Sequence, residues 1–206
     1  MNKNYDDKTC KSYDKIFEWF DQNRSKNLIE KEYLDLVIQN VPMGSVLDLG
    51  CGAGEPLARF FIENGYFVTG IDGSQKMIEL CHKRFPGKNF FVADMRSLNL
   101  EKKFEVIIAW DSFFHLNRDD QRLMFVIFES HIKPGGILLF TSGPDDGEVW
   151  SDNNGQNLYH ASLAEKEYRK LLNDHNFEVL KHRIEDPQCQ GHTVWVAKSK
   201  GEKNEL

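Results

Sequence analysis

The sequence predicts an α/β protein in which helices cover both faces of a mostly parallel, seven-stranded sheet. Strand and helix patterns alternate from residue 45 to residue 143. The strand segments are continuously apolar, as parallel strands are when both of their faces are buried. The last two apolar segments, 177–184 and 192–198, are joined by the short run EDPQCQG, which implies an antiparallel hairpin. We therefore predict a doubly wound α/β/α sandwich whose C-terminal strand pairs antiparallel at one edge.

The elements preceding that hairpin follow from apolar spacing and from the Pro and Gly residues between the segments. Tyr13–Phe20 and Leu28–Gln39 show helical spacing. The predicted strands then comprise residues 46–49, 66–72, 89–94, 104–110 and 137–143, and the predicted helices comprise residues 56–64, 74–85 and 119–132. The last of these helices ends at a Lys-Pro-Gly-Gly run, residues 133–136, because Pro and Gly stop helices.

A long polar stretch, Gly143–His160, separates the fifth strand from the next helix and is expected to be a loop. Ser162 and Glu165 have the spacing of a capping box, which predicts a helix from there to about Asn173.

Length and composition indicate one domain of 206 residues, since 40% hydrophobic residues supply a sizeable core. We expect a loose N-terminus over residues 1–12, a helical segment over 13–44 and the sheet-containing core over 45–198. The net charge of −6 disfavours nucleic acid, and no segment has the apolar length of a membrane span. Four scattered cysteines and the lack of an apolar leader predict a cytoplasmic protein, either a monomer or a homodimer.

The strongest local signal is the Gly-rich turn that directly follows the first strand, VLDLGCGAGE over residues 46–55. A dinucleotide fingerprint, as in a nicotinamide-dependent oxidoreductase, needs a third glycine where Glu55 stands. Glu55 would also place a negative charge beside a pyrophosphate, with no compensating cation expected near it in sequence. A cofactor that has an adenosine, a carboxylate and cationic groups but no phosphate suits the turn better, and S-adenosylmethionine has those features.

VLDLGCGAG resembles the first motif, hh(D/E)hGxGxG, of the class I S-adenosylmethionine-dependent methyltransferases. The resemblance continues in order through VTGIDGS, FFVADM, FEVIIAWDSFFHL and KPGGILLFTSG, and covers about residues 13–198. It implies a Rossmann-like fold and methyl transfer from S-adenosylmethionine, with S-adenosylhomocysteine as product. A non-catalytic module that binds the same cofactor is the rival interpretation, because catalysis by positioning leaves no signature residue.

The resemblance implies a cofactor role for eleven residues: Asp48, Gly50, Gly52, Gly54, Asp72, Gly73, Met77, Asp94, Met95, Ala109 and Trp110. The first four would surround the methionine moiety. Asp72 would bind the ribose hydroxyls, since it follows Gly54 by 72 − 54 = 18 residues, near the ~20 expected of an acidic ribose ligand; capping of the next helix is the alternative. Asp94 and Met95 would contact the adenine. After the fourth strand, the Trp110 ring would flank the adenine or face the substrate, and Ala109 would supply a backbone contact beside it.

Methyl transfer needs a nucleophile held in line with the methyl group, and a base only if the acceptor must lose a proton. The candidate bases are His115, Asp111, His160 and His192, and we place His115 first because it lies just beyond the fourth strand, on the carboxyl edge of the sheet. A structural role is the alternative for each histidine. Cys189 and His192 do not suffice for a metal site, so none is predicted.

The acceptor is expected to be a small molecule, because AWDSFF lacks the (D/N)PP(Y/F) motif of adenine and glutamine-amide methylation and no Pro-Cys nucleophile is present. In the small-molecule branch of the family, N-terminal helices close over the cofactor, and residues 13–44 resemble that cap. Five aromatic residues are candidates for the acceptor pocket or for the core: Trp19, Trp150, Tyr159, Phe113 and Phe114. Four acidic residues, Asp145, Asp146, Glu148 and Asp152, favour a solvated loop over an amine site.

Overall fold

The computed structural model describes residues 6–201. Its helices are α1 (Asp6–Asn23), α2 (Lys31–Asn40), α3 (Leu57–Glu63), α4 (Gln75–Arg84), α5 (Arg118–His131) and α6 (Glu165–Asp174). Its strands are β1 (Ser45–Leu49), β2 (Phe67–Asp72), β3 (Asn89–Val92), β4 (Phe104–Ala109), β5 (Ile132–Ser142), β6 (Gly147–Asn153), β7 (Gln156–Ser162), β8 (Phe177–Asp186) and β9 (His192–Ser199). Within residues 6–201, no helix is both long enough and apolar enough to cross a bilayer.

Seven strands form one sheet in the order β3-β2-β1-β4-β5-β9-β8, in which β9 runs opposite to the other six. The predicted Rossmann-like α/β/α fold is therefore confirmed. The position of the last strand is corrected: β9 lies between β5 and β8, and β8 forms the edge. The burial patterns give the reason, because the apolar centre of β9 is buried throughout while most of β8 is exposed or half-buried.

The two faces of the sheet carry separate apolar cores, because successive side chains of a strand point to opposite faces. Along β4, Val106 and Ile108 pack toward α2, α3 and α4, whereas Ile107 and Ala109 pack toward α5 and α6. This double coverage leaves the carboxyl ends of the parallel strands free to form a site.

A second sheet of two strands, β6 and β7, occupies the stretch expected to be a loop, so that prediction is wrong. Its turn consists of Asn154 and Gly155, with φ angles of 51° and 76°. Positive φ at both positions is the geometry of a type I′ turn, for which Asn-Gly is a favoured pair. The Asn-Gly signal was therefore present in the sequence, but the polar composition of the exposed strand β6 and of the residues around the turn concealed it.

Two local expectations near helix starts are also wrong. Residues 6–12 belong to α1 instead of a loose N-terminus, while residues 1–5 lie outside the described part of the chain. Ser162 ends β7 and does not cap α6, whose N-cap position is Ala164 with no side-chain hydrogen bond. The Ser162 hydroxyl instead donates to the carbonyl oxygen of Gly143 at 3.2 Å, which ties β7 to the end of β5.

Candidate functional site

A cavity of about 450 Å³ lies at the carboxyl ends of β1, β2 and β4, beneath α1. This volume is in the range of small-molecule sites, roughly 300–1,000 Å³. The next strand in sequence, β2, pairs with one edge of β1, and β4 pairs with the opposite edge, so the strand order reverses at β1. Ligands of open α/β sheets bind at such reversal points.

The Gly-rich turn forms the floor of the cavity. The backbone N–H groups of Gly50 and Cys51 donate to the carbonyl oxygen of Ile71, at 2.8 and 2.9 Å, and this holds the turn against β2. Gly50, Gly52 and Gly54 all have positive φ, at 75°, 52° and 78°. A Cβ atom at Gly50 would clash with the Ser112 side chain, and one at Gly54 would lie 2.6 Å from the Phe85 ring.

Gly52 differs from the other two glycines because a Cβ atom there would meet nothing within 4 Å. Gly52 lines the cavity, so this open space is the space of the cavity itself. Gly50 and Gly54 are therefore required for packing, and Gly52 is the point at which a ligand can approach the backbone.

Asp72, at the end of β2, forms the adjacent wall. Its carboxylate accepts hydrogen bonds from the backbone N–H of Gly52 at 2.9 Å and of Ser74 at 2.8 Å. Burial raises the pKa of Asp72 although these two bonds lower it. Asp72 does not cap α4, because the N-cap is Ser74, whose hydroxyl accepts from the Met77 N–H. The Asp72 carboxylate retains lone pairs for a ligand, since two oxygens offer about four acceptor positions.

Carboxylates outnumber cations on the cavity wall. Seven acidic side chains line it, Asp14, Asp21, Asp48, Glu55, Asp72, Asp94 and Asp111, against the four cations Lys11, Arg24, Lys26 and Arg96. Asp48 is buried at the end of β1, and burial together with the charge of Asp72 raises its pKa to about 7. This balance favours a ligand with a positive charge over a pyrophosphate.

The charge of Glu55 is compensated, contrary to the sequence expectation. Arg59, one helical turn later, pairs with Glu55 at 2.6 Å, and Arg24 donates to the Glu55 carbonyl oxygen at 3.2 Å. Repulsion by Glu55 alone is therefore no argument against a phosphate. Asp14 and Asp72 take its place, because their carboxylates line the cavity and bond backbone N–H and hydroxyl groups instead of a cation.

The far end of the cavity contains four of the predicted cofactor residues. Asp94 and Met95 lie on the wall after β3, where Arg96 donates to the Asp94 carboxylate at 2.9 Å. Burial opposes ionisation of Asp94, but the hydrogen bonds from Arg96 hold its pKa below the usual value. Met77 contributes a buried side chain from α4, and Gly73 contacts Cys10 of α1 so closely that a Cβ atom would clash with the thiol.

The side chain of Ala109 does not line the cavity, and the backbone contact expected of this residue stays a prediction. The side chain is fully buried in the core beside α5 and α6, because the alternation of β4 turns it away from the cavity. The next residue, Trp110, lines the wall, and its ring stacks on that of His192 with centroids 5.5 Å apart.

His115 lies on the wall as predicted, with both ring nitrogens occupied. Nδ1 is 2.8 Å from the carbonyl oxygen of Tyr159, and Nε2 is 3.0 Å from the Tyr13 hydroxyl. Since a carbonyl can only accept, Nδ1 carries the proton and Nε2 accepts from Tyr13. Burial lowers the pKa of His115 to about 4, so the ring is neutral near pH 7.

The other candidate bases occupy different places. Asp111 lines the cavity and contacts His192, whereas His160 lies behind His115, with ring centroids 4.7 Å apart. Burial lowers the pKa of His160. Among residues 6–201, no group of three or more His, Cys, Asp or Glu side chains is arranged to hold a metal ion.

The aromatic candidates do not converge on the cavity. Phe113 is fully buried in the core among other phenylalanines, and Phe114 contacts the rings of His115 and His160. Trp150 and Tyr159 line a separate open groove on the β6–β7 sheet, and Trp19 is exposed on α1.

The acidic stretch after β5 lies away from the cavity. Two of its members, Asp146 and Glu148, pair with Arg118 at 3.3 and 3.6 Å.

The sequence predicted that the N-terminal helical segment closes over the site, but not which residues of α1 line it. Cys10, Tyr13, Asp14, Asp21 and Arg24, the last just beyond the helix, line the cavity at spacings of three, four and seven residues. Such spacings place side chains on one helix face. This helical spacing of polar residues is visible in the sequence. The apolar positions identify the helix, but they do not show that its polar face covers a site.

Comparisons with known proteins all find similarity to methyltransferases. A family model described as a methyltransferase domain matches residues 46–136. The dTDP-3-amino-3,4,6-trideoxy-alpha-D-glucopyranose N,N-dimethyltransferase of Streptomyces venezuelae is 28% identical over 129 residues, which are 60% of this chain and 54% of the relative. The malonyl-[acyl-carrier protein] O-methyltransferase of Bacillus cereus is 31% identical over 134 residues, 63% of this chain and 46% of the relative. The chain thus spans about half the length of these curated relatives.

A solved structure shares the fold. The amino pentose methyltransferase CalS10 from Micromonospora echinaspora, in a structure with bound S-adenosylmethionine, superposes with a TM-score of 0.70 at 16% identity. The match covers 89% of this chain and 95% of that protein.

Proposed function

We propose that the chain is a class I S-adenosylmethionine-dependent methyltransferase, which transfers a methyl group from S-adenosylmethionine to a small-molecule acceptor and releases S-adenosylhomocysteine; the methyltransferase-domain model over residues 46–136 supports this proposal. One observation carries this proposal: the cavity at the strand reversal meets the backbone at Gly52, beside the Asp72 carboxylate. That combination suits a nucleoside whose amino-acid end approaches the turn.

The residues present fit this cofactor. At Gly52 the backbone is accessible from the cavity, because no side chain covers it. The carboxylates of the wall suit a ligand with a sulfonium and an ammonium group. We assign the ribose hydroxyls to Asp72, the adenine end to Asp94, Met95, Gly73 and Met77, and the amino-acid end to the wall from Asp48 to Gly54. Trp110 offers an aromatic face to the cavity, and such faces attract cations by roughly 0.5–2 kcal/mol.

Bound S-adenosylmethionine supplies an electrophilic methyl group, so the chain needs to align the acceptor and exclude water. The inner face of α1 covers the cavity, with Tyr13 and Asp14 facing the strand ends. Asp14 accepts from the Ser74 hydroxyl at 2.5 Å, which fastens α1 to the start of α4. We propose that α1 is the lid and that the whole chain acts as one domain.

Tyr13 and His115 form the polar part of the wall beneath this lid. The proton of the Tyr13 hydroxyl is committed to His115 Nε2, so the oxygen presents lone pairs to the cavity. Burial raises the pKa of Tyr13, which keeps the hydroxyl neutral. In this arrangement His115 orients Tyr13, and it acts as a base only if the acceptor proton passes through that hydroxyl.

The remaining properties are proposals from composition. The negative net charge favours an acceptor other than nucleic acid, and a monomer or homodimer suffices for a cavity that one chain encloses. Cys10, Cys51, Cys81 and Cys189 are free thiols, as is usual in a reducing compartment, and this supports a cytoplasmic location.

Calorimetry with the purified protein tests the cofactor first. We expect S-adenosylmethionine and S-adenosylhomocysteine to bind in the micromolar range and NAD not to bind. Binding of NAD alone would instead indicate a nicotinamide-dependent oxidoreductase. Release of S-adenosylhomocysteine in a screen of small acceptors then separates an enzyme from a module that only binds the cofactor, since the latter would bind but never turn over.

A further inference from the structure

His192 lies outside the cavity but contacts two residues of its wall. Its Nε2 atom is 3.0 Å from the Asp111 carboxylate, and its ring stacks on Trp110 at an interplanar angle of 27°. Asp111 and Trp110 both line the cavity. His192 begins β9, immediately after the turn that joins it to β8, so this contact ties the turn to the end of β4.

The hydrogen-bond partners fix the charge of the His192 ring. Nδ1 is 2.6 Å from the carbonyl oxygen of Cys189, and Nε2 faces the Asp111 carboxylate. Both partners are acceptors only, so both ring nitrogens must carry protons. The ring can donate to both partners only as an imidazolium, and in that form it presents a cation to the face of Trp110.

Asp111 needs such support because its backbone is strained. Its φ angle is 49°, a region that non-glycine residues seldom adopt. The backbone N–H donates to the Thr141 hydroxyl at 2.9 Å, and the carboxylate also pairs with Arg24 at 3.1 Å. His192 thus completes a set of bonds that holds a strained wall residue, as is common at functional sites.

We propose that His192 is a positioning residue of the cofactor site, whose imidazolium holds Asp111 and Trp110 in place on the cavity wall. This inference rests on the proposed function, since it takes the cavity as the cofactor site. His192 itself does not line the cavity and acts through the two residues that do.

The charged groups around His192 set the direction of its pH response. Asp111 and the buried Glu30 favour the imidazolium, Arg24 beyond Asp111 opposes it, and the Cys189 thiol lies in the adjoining turn. The hydrogen bond to Asp111 raises the pKa of His192 above its usual value. The positioning contact is consequently present at low pH and is lost as the pH rises through this raised pKa.

Binding of S-adenosylhomocysteine, measured by calorimetry between pH 6 and 8.5, tests the proposal. The wild-type affinity should fall by roughly fivefold to tenfold over this range, about what loss of one charge-assisted hydrogen bond produces. His192→Gln should bind about tenfold more weakly at pH 6 and should lose this part of the pH profile. Asp48, whose pKa is raised to about 7, titrates in both proteins, so the difference between the two profiles isolates His192.

His182→Gln is the matched control. His182 also stacks on a tryptophan, Trp195, and bonds a carbonyl through Nδ1, but it lies on β8 away from the cavity. This variant should bind like the wild type at every pH. If His192→Gln does not fold, the histidine titration of the wild type and of Asp111→Asn decides the proposal, since asparagine tolerates positive φ and removes the charge that His192 contacts; the affinity of Asp111→Asn does not serve, because Asp111 itself lines the cavity.

NMR titration of the seven histidine rings provides a readout that does not depend on the ligand. The resonance missing from His192→Gln belongs to His192, and it should titrate above pH 6.5 and move down in Asp111→Asn. Equal binding of wild type and His192→Gln across the pH range, or a His192 resonance that titrates below pH 6.5, overturns the proposal. A wild type that binds no S-adenosylhomocysteine at any pH overturns the proposed function first, and the positioning role with it.

Discussion

Replacement of Gly52 by alanine separates the backbone's structural role from its role toward a ligand. The φ angle of 52° is costly for any residue with a Cβ atom, by about 1–2 kcal/mol. The added methyl group meets nothing within 4 Å, so no further cost to the folded protein is expected. For a chain of this length such a loss lowers the Tm by roughly 2–8 °C.

Gly52→Ala should also weaken ligand binding, for a reason separate from the backbone strain. The methyl group would occupy space on the cavity side of the turn, where the amino-acid end of the cofactor is proposed to lie. Forcing one extra methyl group into a filled site costs about 1–3 kcal/mol, or roughly fivefold to 150-fold in Kd. Calorimetric titration with S-adenosylhomocysteine measures this change.

Gly87→Ala is the control for strain. Gly87 has a φ of 77° and does not line the cavity, and a methyl group added there would also meet nothing within 4 Å. This variant should show a similar fall in Tm with an unchanged Kd. A Gly52→Ala protein that binds S-adenosylhomocysteine as tightly as Gly87→Ala would refute the conclusion that the ligand approaches the backbone at Gly52.

Three further predictions concern the same region. Asp72→Ala should weaken S-adenosylhomocysteine binding tenfold or more in calorimetry, because it removes a carboxylate that faces the cavity and fixes Gly52; unchanged affinity in a folded protein would contradict the ribose assignment. His115 is buried with its pKa lowered to about 4, so the stability it contributes is full above pH 6.5 and should fall by up to about 3 kcal/mol as the pH drops from 6.5 to 4. Urea unfolding should show that this acid-dependent loss is smaller in His115→Gln. Equal losses in the two proteins would contradict the conclusion that His115 is buried as a neutral ring with a lowered pKa. Phe113→Leu should lower the unfolding free energy by about 1–2 kcal/mol while leaving ligand affinity unchanged, since Phe113 belongs to the core; a selective loss of binding would place it at the site instead.

The cavity wall was predictable where its residues end a strand or directly follow one. The Gly-rich turn, Asp72 and Trp110 lie in such places, and parallel strands bring their carboxyl ends to one edge. The direction of each side chain at the end of β4 was decided by the fold: Trp110 lines the cavity, whereas the Ala109 side chain packs in the core beside α5 and α6.

The sequence by itself determined the strands and helices of the main sheet, its parallel arrangement and the turn that begins the site, because these depend on local periodicity and on glycine. Tertiary structure decided that β6 and β7 pair in a second sheet, that Tyr13 is one of the α1 residues facing the cavity, and that β9 lies inside the edge strand. It also decided the hydrogen-bond partners of His115 and His192, which favour the neutral ring in the first and the charged ring in the second. A histidine takes its charge from the acceptors and donors around it, and residues distant in sequence supply those groups only after the chain has folded.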